Sequence, residues 1–105
     1  MYFTYRNWED ILVLLEEIYA LDRNEGTWIK EFIFRVMEAD RNSTPPYYFL
    51  GRILLDEGMH EKAVEVYAKL IEIAPTEIVG VMDALRSYPE KKPAVLLYLA
   101  DLFLD

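Results

Sequence analysis

Apolar residues recur along this chain at the three- and four-residue spacing of α-helices, in six segments separated by short polar or proline-containing stretches. Asn7, Thr27 and Thr76 precede three of these segments and are residue types suited to cap a helix. No segment shows the two-residue alternation of a strand. The predicted helices span about 8–21, 28–39, 45–57, 60–74, 77–87 and 93–104.

Short connections between these segments make neighbouring helices antiparallel. The pattern therefore predicts an all-α fold of three stacked helical hairpins, at about 7–41, 44–75 and 76–105, which together form one domain over residues 1–105. At 105 residues the chain has the size of a single small domain with its own core.

The central hairpin carries the most regular pattern of the chain. A single glycine, Gly58, separates its two helices, and Pro75 follows the second. We expect Gly51 and Ala63 to be small because the two helices cross closely there, with tyrosines filling the space on either side. The positions that recur in register are Tyr47, Leu50, Gly51, Leu54, Gly58, Ala63, Tyr67, Leu70 and Pro75.

This series resembles the tetratricopeptide repeat, a helical hairpin of about 34 residues that stacks on copies of itself. The resemblance covers about a third of the chain, at 44–77, and implies a right-handed α–α superhelix. The flanking hairpins follow the pattern less closely. The first has about five extra residues near 22–26, and the third is about three residues short, so both are interpreted as degenerate repeats.

Tetratricopeptide arrays bind peptides in the concave groove formed by the first helix of each hairpin. Carried onto this sequence, the resemblance implies a peptide groove lined by Tyr48, Phe49, Arg52, Leu55 and Asp56. Aromatic residues and arginine are frequent in binding hot spots. The alternative is that Tyr48 and Phe49 pack against the first or the fifth helix of this small array. Arg52 stands where some members of the family carry a carboxylate-binding asparagine, so binding of that particular kind is not expected.

The last predicted helix is apolar almost all round, with Asp101 as its one polar residue between positions 94 and 104 other than Tyr98. Repeat arrays usually end in a helix with a polar outer face. We therefore expect its exposed side to be covered by a second copy of the chain or by a partner, through Tyr98, Leu102 and Phe103. A chain that continues into further repeats would explain the same surface.

Composition and charge exclude some kinds of binding partner and favour one cellular location. The net charge is −8, which opposes binding to nucleic acid or to an anionic membrane. The N-terminal residues lack the layout of a signal peptide, and no apolar run is long enough for membrane insertion, so a cytoplasmic location is expected. Cysteine and glutamine are absent, and asparagine is rare. Depletion of thermolabile residue types favours a thermophilic source.

Few residues of the sequence are candidates for catalysis or metal binding. The single histidine, His60, lies beside Asp56, Glu57 and Glu61, and we interpret it as an exposed residue of the hairpin turn that binds no metal. The acidic pairs of the first helix are interpreted as solvated surface. No phosphate-binding loop, catalytic triad or metal motif is present in the sequence. We therefore expect neither an enzyme nor a cofactor.

Together these observations predict a non-catalytic protein–protein interaction module. It would bind a helix or an extended peptide in the groove or on the last helix. The alternative is a structural module that forms a homo-oligomer, or one part of a longer solenoid, with no separate peptide ligand.

Overall fold

The computed structural model describes residues 8–88 and 93–104, and within them helices follow one another with short connections. Two 3₁₀ turns, Arg23–Glu25 and Pro75–Glu77, complete the described structure, and no strand occurs within these ranges. The all-α prediction with six helices is confirmed for the described residues. The helices are α1 (Trp8–Leu21), α2 (Gly26–Ala39), α3 (Pro45–Asp56), α4 (His60–Ile73), α5 (Ile78–Ser87) and α6 (Pro93–Leu104).

Two helices begin at positions other than those that the capping residues predicted. Helix α2 starts at Gly26, directly after a 3₁₀ turn in which the Asp22 side chain accepts a hydrogen bond of 3.0 Å from the Asn24 backbone amide. Helix α5 starts at Ile78, because Pro75 opens a 3₁₀ turn ahead of it. The predicted cap Asn7 and the linker residues 89–92 lie outside the described residues.

Consecutive helices pack against one another, and the most extensive contact is between α3 and α4. Helix α3 also packs on α2, and helix α6 packs on both α4 and α5. An ion pair between Lys30 and Glu57 joins α2 to the end of α3. This order of contacts places α1 at one end of the stack and α6 at the other.

Gly51 lies on the side of α3 that faces Tyr67 of α4. A Cβ atom at this position would lie 2.5 Å from Cζ of the Tyr67 ring, well inside van der Waals contact. Tyr67 is only 2% exposed and fills the space beside the glycine. The predicted reason for a small residue at position 51 is therefore confirmed, and the contact that requires it is with the Tyr67 ring.

The turn between α3 and α4 depends on the backbone of Gly58. Its φ of +80° lies in the left-handed region, which glycine adopts without steric cost. The Gly58 amide donates to the Leu55 carbonyl at 3.0 Å, and the Met59 amide donates to the Leu54 carbonyl at 2.8 Å. These two bonds form a Schellman motif, which satisfies carbonyls that the end of a helix would otherwise leave unpaired.

His60 departs from its predicted environment. The prediction of an exposed turn residue is wrong, since only 3% of His60 is exposed. It is the first residue of α4, and its ring packs edge-on against Tyr88, with the centroids 6.4 Å apart. Neither ring nitrogen has a hydrogen-bond partner among the described residues. The turn at Gly58 directs this side chain towards the end of α5 and away from solvent.

Candidate functional site

A cavity of about 710 Å³ lies on the side of the stack formed by the first helix of each hairpin. Residues of α1, α3 and α5 contribute to it, together with Arg23 from the 3₁₀ turn, Tyr67 from α4 and Tyr88 after α5. The structure brings all five groove residues predicted from the sequence onto its wall, namely Tyr48, Phe49, Arg52, Leu55 and Asp56.

These five residues differ in how accessible they are. Arg52 is exposed and Tyr48 is half-buried, whereas Phe49 and Leu55 are only 4% and 3% exposed. The Phe49 ring packs edge-on against Tyr19 of α1, with centroids 6.0 Å apart. Phe49 and Leu55 therefore belong to the core beneath the cavity. The alternative of packing against a neighbouring helix applies to Phe49, which packs on α1, and also to Tyr48, whose hydroxyl lies beside Gly80 of α5. The more accessible of the five are Tyr48 and Arg52.

Asp56 joins the three first helices. Its Oδ2 accepts a hydrogen bond of 2.8 Å from the Tyr19 hydroxyl, and its Oδ1 accepts one of 2.6 Å from the Tyr88 hydroxyl. The Arg23 guanidinium lies 3.5 Å from the same Oδ1, and the Asp56 side chain is only 7% exposed. Because both carboxylate oxygens already have partners, Asp56 holds the shape of the cavity and offers little to a ligand.

Tyr48 makes the corresponding connection between α3 and α5. Its hydroxyl lies 2.8 Å from Oε2 of Glu77, to which it donates a hydrogen bond. The same hydroxyl passes so close to Gly80 that a Cβ atom there would collide with it. The Tyr48 ring also meets the Tyr67 ring edge-on, with centroids 6.2 Å apart. The aromatic wall of the cavity is thus held in place from two sides.

The tyrosines around the cavity are strongly held in their neutral form. Burial, followed by the hydrogen bond to Asp56, raises the pKa of Tyr19 well above its usual range. Burial and the hydrogen bond to Glu77 do the same to the pKa of Tyr48. Burial raises the pKa of Tyr67 to about 12, although the nearby positive charge of Arg52 opposes the shift. These tyrosines therefore stay uncharged even at a pH above 10, where an exposed tyrosine would begin to lose its proton.

Arg52 is an exposed cation of this wall, and it differs from Arg23 in its ion pairing. Two ion pairs occur within the described residues, Arg23 with Asp56 and Lys30 with Glu57, and Arg52 takes part in neither. Arg52 and Tyr67 line the same cavity, and the positive charge of Arg52 lowers the pKa of Tyr67 against the larger effect of burial. An exposed guanidinium next to tyrosine rings can bind a carboxylate and stack on an aromatic or apolar side chain.

Sequence reasoning did not predict the contributions of Tyr19, Arg23, Tyr67 and Tyr88 to the cavity. A signal for two of them was present. Tyr19 lies 37 residues before Asp56 and Tyr88 lies 32 residues after it, close to the repeat length of about 34. Residues one repeat apart lie side by side in a stack, so the three positions could have been recognised as neighbours.

A second cavity, of about 770 Å³, lies between α2 and α4. Phe34 and Ile73, both exposed, contribute to it, and Glu38, Arg41, Glu65 and Lys69 supply charges of both signs. No residue of the predicted groove lines this cavity.

The predicted interface residues of α6 lie in different environments. Leu102 is 9% exposed and belongs to the core, and Tyr98 is half-buried. Phe103 is 61% exposed, with the Arg86 guanidinium 6.0 Å from the centroid of its ring. The accessible face of α6 therefore includes Phe103, whereas Leu102 lies on the opposite, buried side of the helix. Its other large members are Leu96, Leu97 and Leu104.

Two other kinds of feature are absent from the described residues. No three histidine, cysteine or carboxylate side chains come close enough together there to hold a metal ion. Over the same residues, no helix combines the length and the apolar character that crossing a membrane requires.

Antiparallel helical hairpins, stacked so that their first helices line one cavity, define a helical repeat architecture. Residues 44–77 match the family model of the tetratricopeptide repeat, and this range contains α3, the Gly58 turn and α4. The central hairpin is therefore a repeat of this type, and such repeats generally serve protein–protein interaction. The match covers about a third of the chain. No curated protein and no solved structure matches the chain.

Proposed function

We propose that this protein is a non-catalytic interaction module that binds a peptide segment, extended or helical, in the cavity lined by α1, α3 and α5. One observation carries the proposal. The five positions that the central repeat assigns to a peptide groove line one cavity, and its accessible groups are an aromatic ring and a cation that forms no ion pair in the described structure. The flanking hairpins, as degenerate copies of the repeat, supply the remaining walls.

The chemistry of the wall favours a particular kind of peptide. An apolar or aromatic side chain would pack on the Tyr48 ring, which its bond to Glu77 holds in place. An acidic side chain of the same peptide would pair with Arg52. Little ordering of the wall would be needed on binding, because Asp56 and Glu77 already hold the tyrosines, and such preorganisation favours affinity.

The experiment is a selection of displayed peptides on the immobilised protein, followed by affinity measurement of the enriched sequences by fluorescence anisotropy. We expect enriched peptides to combine an acidic residue with an apolar one. Arg52→Glu should weaken their binding at least about tenfold, or ~1.4 kcal/mol, because an attractive charge pair becomes repulsive. Tyr48→Ala should weaken it to a similar degree.

Arg35→Glu is the matched control, since Arg35 is an exposed arginine of α2 that does not line the cavity. It makes the same change in net charge and should leave the affinity unchanged. Equal weakening by both charge reversals would show that the peptides respond to overall charge, which contradicts binding at Arg52. Weakening by Phe34→Glu alone would place binding in the second cavity, between α2 and α4.

A further inference from the structure

The charged side chains of the cavity between α1, α3 and α5 divide into one internal pair and two residues without a charged partner. Four charged residues line this cavity, namely Glu16, Arg23, Arg52 and Asp56. Arg23 lies 3.5 Å from Asp56, so the charges of these two largely cancel. Glu16 and Arg52 are both exposed, and neither takes part in an ion pair within the described residues. The cavity therefore offers a ligand one carboxylate on α1 and one guanidinium on α3.

The hydrogen bond between Tyr19 and Asp56 shows how these two charges are placed. Glu16 lies three residues before Tyr19, and Arg52 lies four residues before Asp56, so each shares a helix face with a member of that bond. Helices α1 and α3 run in the same direction, because α2 is antiparallel to both. Glu16 and Arg52 therefore lie at one level of the stack, one helical turn before the Tyr19–Asp56 bond.

The separation of the two helices sets the spacing of the ligand groups. Side chains of α1 and α3 touch where the Tyr19 ring meets Phe49, and helices in contact have axes about 8–10 Å apart. An extended peptide advances about 3.3 Å per residue. A peptide that crosses from α1 to α3 would therefore place its groups for Glu16 and Arg52 about three positions apart. In a helical peptide the same distance corresponds to about seven positions.

The other charged groups near the cavity do not compete with these two. Glu77 accepts the hydrogen bond of the Tyr48 hydroxyl, and Glu57 is ion-paired with Lys30. Several charged residues adjoin lining residues in the sequence but do not line the cavity themselves, namely Glu17, Asp22, Glu57, Asp83 and Arg86. A basic group that enters the cavity therefore meets Glu16 as the available carboxylate among the described residues.

We propose that the peptide bound in this cavity carries a basic residue that pairs with Glu16, in addition to the acidic residue that pairs with Arg52. This inference rests on the proposed peptide binding and adds the second charge. It also fixes the order of the charges across the groove, with the basic group on the α1 side and the acidic group on the α3 side. A peptide with the two charges exchanged would meet like charges on both helices and be rejected.

The test compares the peptides that three forms of the protein select from one displayed library. The wild type should enrich peptides with Lys or Arg about three positions from Asp or Glu if they bind extended, or about seven if they bind as helices. Glu16→Lys should enrich a second acidic residue in place of the basic one. Glu17→Lys is the matched control, since it makes the same change at the adjacent exposed residue, which does not line the cavity. It should enrich the same peptides as the wild type.

Fluorescence anisotropy with the tightest wild-type peptide then measures the size of the effect. Glu16→Lys should weaken binding about fivefold, because an exposed attractive pair becomes repulsive. Replacing the basic residue of the peptide with Glu should restore the affinity for Glu16→Lys to within about twofold of the original pair. Unchanged affinity in Glu16→Lys would overturn the inference. Equal weakening by Glu16→Lys and Glu17→Lys would also overturn it, since binding would then follow net charge. Circular dichroism checks that both variants fold.

Failure of this inference can be told apart from failure of the proposed function. Peptides that depend on Arg52 but show no preference for a basic residue would contradict the role of Glu16 and leave peptide binding in the cavity intact. Enriched peptides whose affinity responds to neither Arg52→Glu nor Tyr48→Ala would contradict binding in the cavity, and this inference with it. A selection that enriches no peptide would contradict both.

Discussion

Helices α3 and α6 are both twelve residues long and both begin with proline, but eight residues of α3 are buried and only three of α6. Helix α6 is nevertheless the more apolar of the two in sequence, with Asp101 as its one charge against Arg52 and Asp56 in α3. The difference lies in their neighbours. Helix α3 packs between α2 and α4, whereas α6 ends the stack. Position in a stack therefore decides how much of a helix is buried.

Truncating a large side chain should show the greatest contrast between these regions. Tyr67→Ala should lower the free energy of unfolding by about 3–5 kcal/mol, because it removes a buried ring and leaves a cavity beside Gly51. Tyr98→Ala in α6 removes a half-buried ring and should cost about half as much. Guanidinium denaturation at low protein concentration measures both. Equal losses would contradict the view that the central hairpin holds the better-packed part of the core.

A smaller effect is expected from adding one methyl group at the crossing of α3 and α4. Gly51→Ala should destabilise the protein by about 2 kcal/mol, since the new Cβ would overlap the Tyr67 ring. Gly58→Ala has open space around it and should cost about 1 kcal/mol from its left-handed backbone alone. Thermal and chemical denaturation report both. In a Tyr67→Leu background the cost of Gly51→Ala should shrink, and an unchanged cost would rule out the ring contact as its cause.

The hydrogen bonds to Asp56 should each make a moderate contribution. Tyr19→Phe should lower the free energy of unfolding by about 1.5 kcal/mol, because the bond to a buried carboxylate is lost while the ring contact with Phe49 is kept. Tyr98→Phe is the control, since the Tyr98 hydroxyl makes no hydrogen bond within the described structure. A double-mutant cycle with Tyr88→Phe would measure the coupling of the two bonds through Asp56. Equal effects of Tyr19→Phe and Tyr98→Phe would remove the carboxylate from the explanation.

Stability should also fall in alkaline solution. The pKa of Tyr67 is raised to about 12 from 10.0, and those of Tyr19 and Tyr48 are raised further. A raised pKa means that the folded state keeps a proton which the unfolded state loses above pH 10, so the contribution is complete below pH 10 and is lost as the pH rises towards the folded value. Each such tyrosine adds a slope of up to about 1.4 kcal/mol per pH unit. Denaturation curves measured at increasing pH test this, and Tyr19→Phe should make the slope shallower.

The smallest effect on folding is expected at Leu97, an exposed residue of α6. Leu97→Gln should change the free energy of unfolding of the isolated monomer by no more than about 0.5 kcal/mol, because the side chain is 68% exposed. Dilute samples followed by circular dichroism provide the measurement. A large loss would show that α6 buries this face against the rest of the chain, and the contrast between α3 and α6 would then disappear.

Helical periodicity predicted the number, order and type of the helices, and the glycines of the central hairpin, because these depend on local spacing. It predicted less well which side of a helix has a neighbour. His60 illustrates this difficulty, since its acidic sequence neighbours suggested solvent but the turn directs it towards Tyr88. Leu102 and Phe103 are adjacent in sequence, yet one is buried and the other exposed. Such distinctions require the angle at which α6 packs on α4 and α5, which spacing within α6 does not contain.

The spacing of residues also did not reveal how the residues of the predicted groove are bonded within the fold. The five groove positions lie on the wall of one cavity, because they follow from the register of a single hairpin. The bonds of Asp56 involve α1 and the residue after α5, and they depend on how three hairpins stack. A residue that looks available for a ligand in the sequence can therefore already be fully bonded within the fold.

The two bonds of Asp56 also bear on how the protein unfolds. In repeat proteins each hairpin contacts only its neighbours, so terminal hairpins can detach while the rest stays folded. Here one carboxylate accepts hydrogen bonds from residues of the first and third hairpins at once. Loss of either terminal hairpin leaves that buried charge without one of its partners, which makes partial unfolding more costly. The short array should therefore lose its structure in a single cooperative step, with similar hydrogen-exchange protection in α1 and α5.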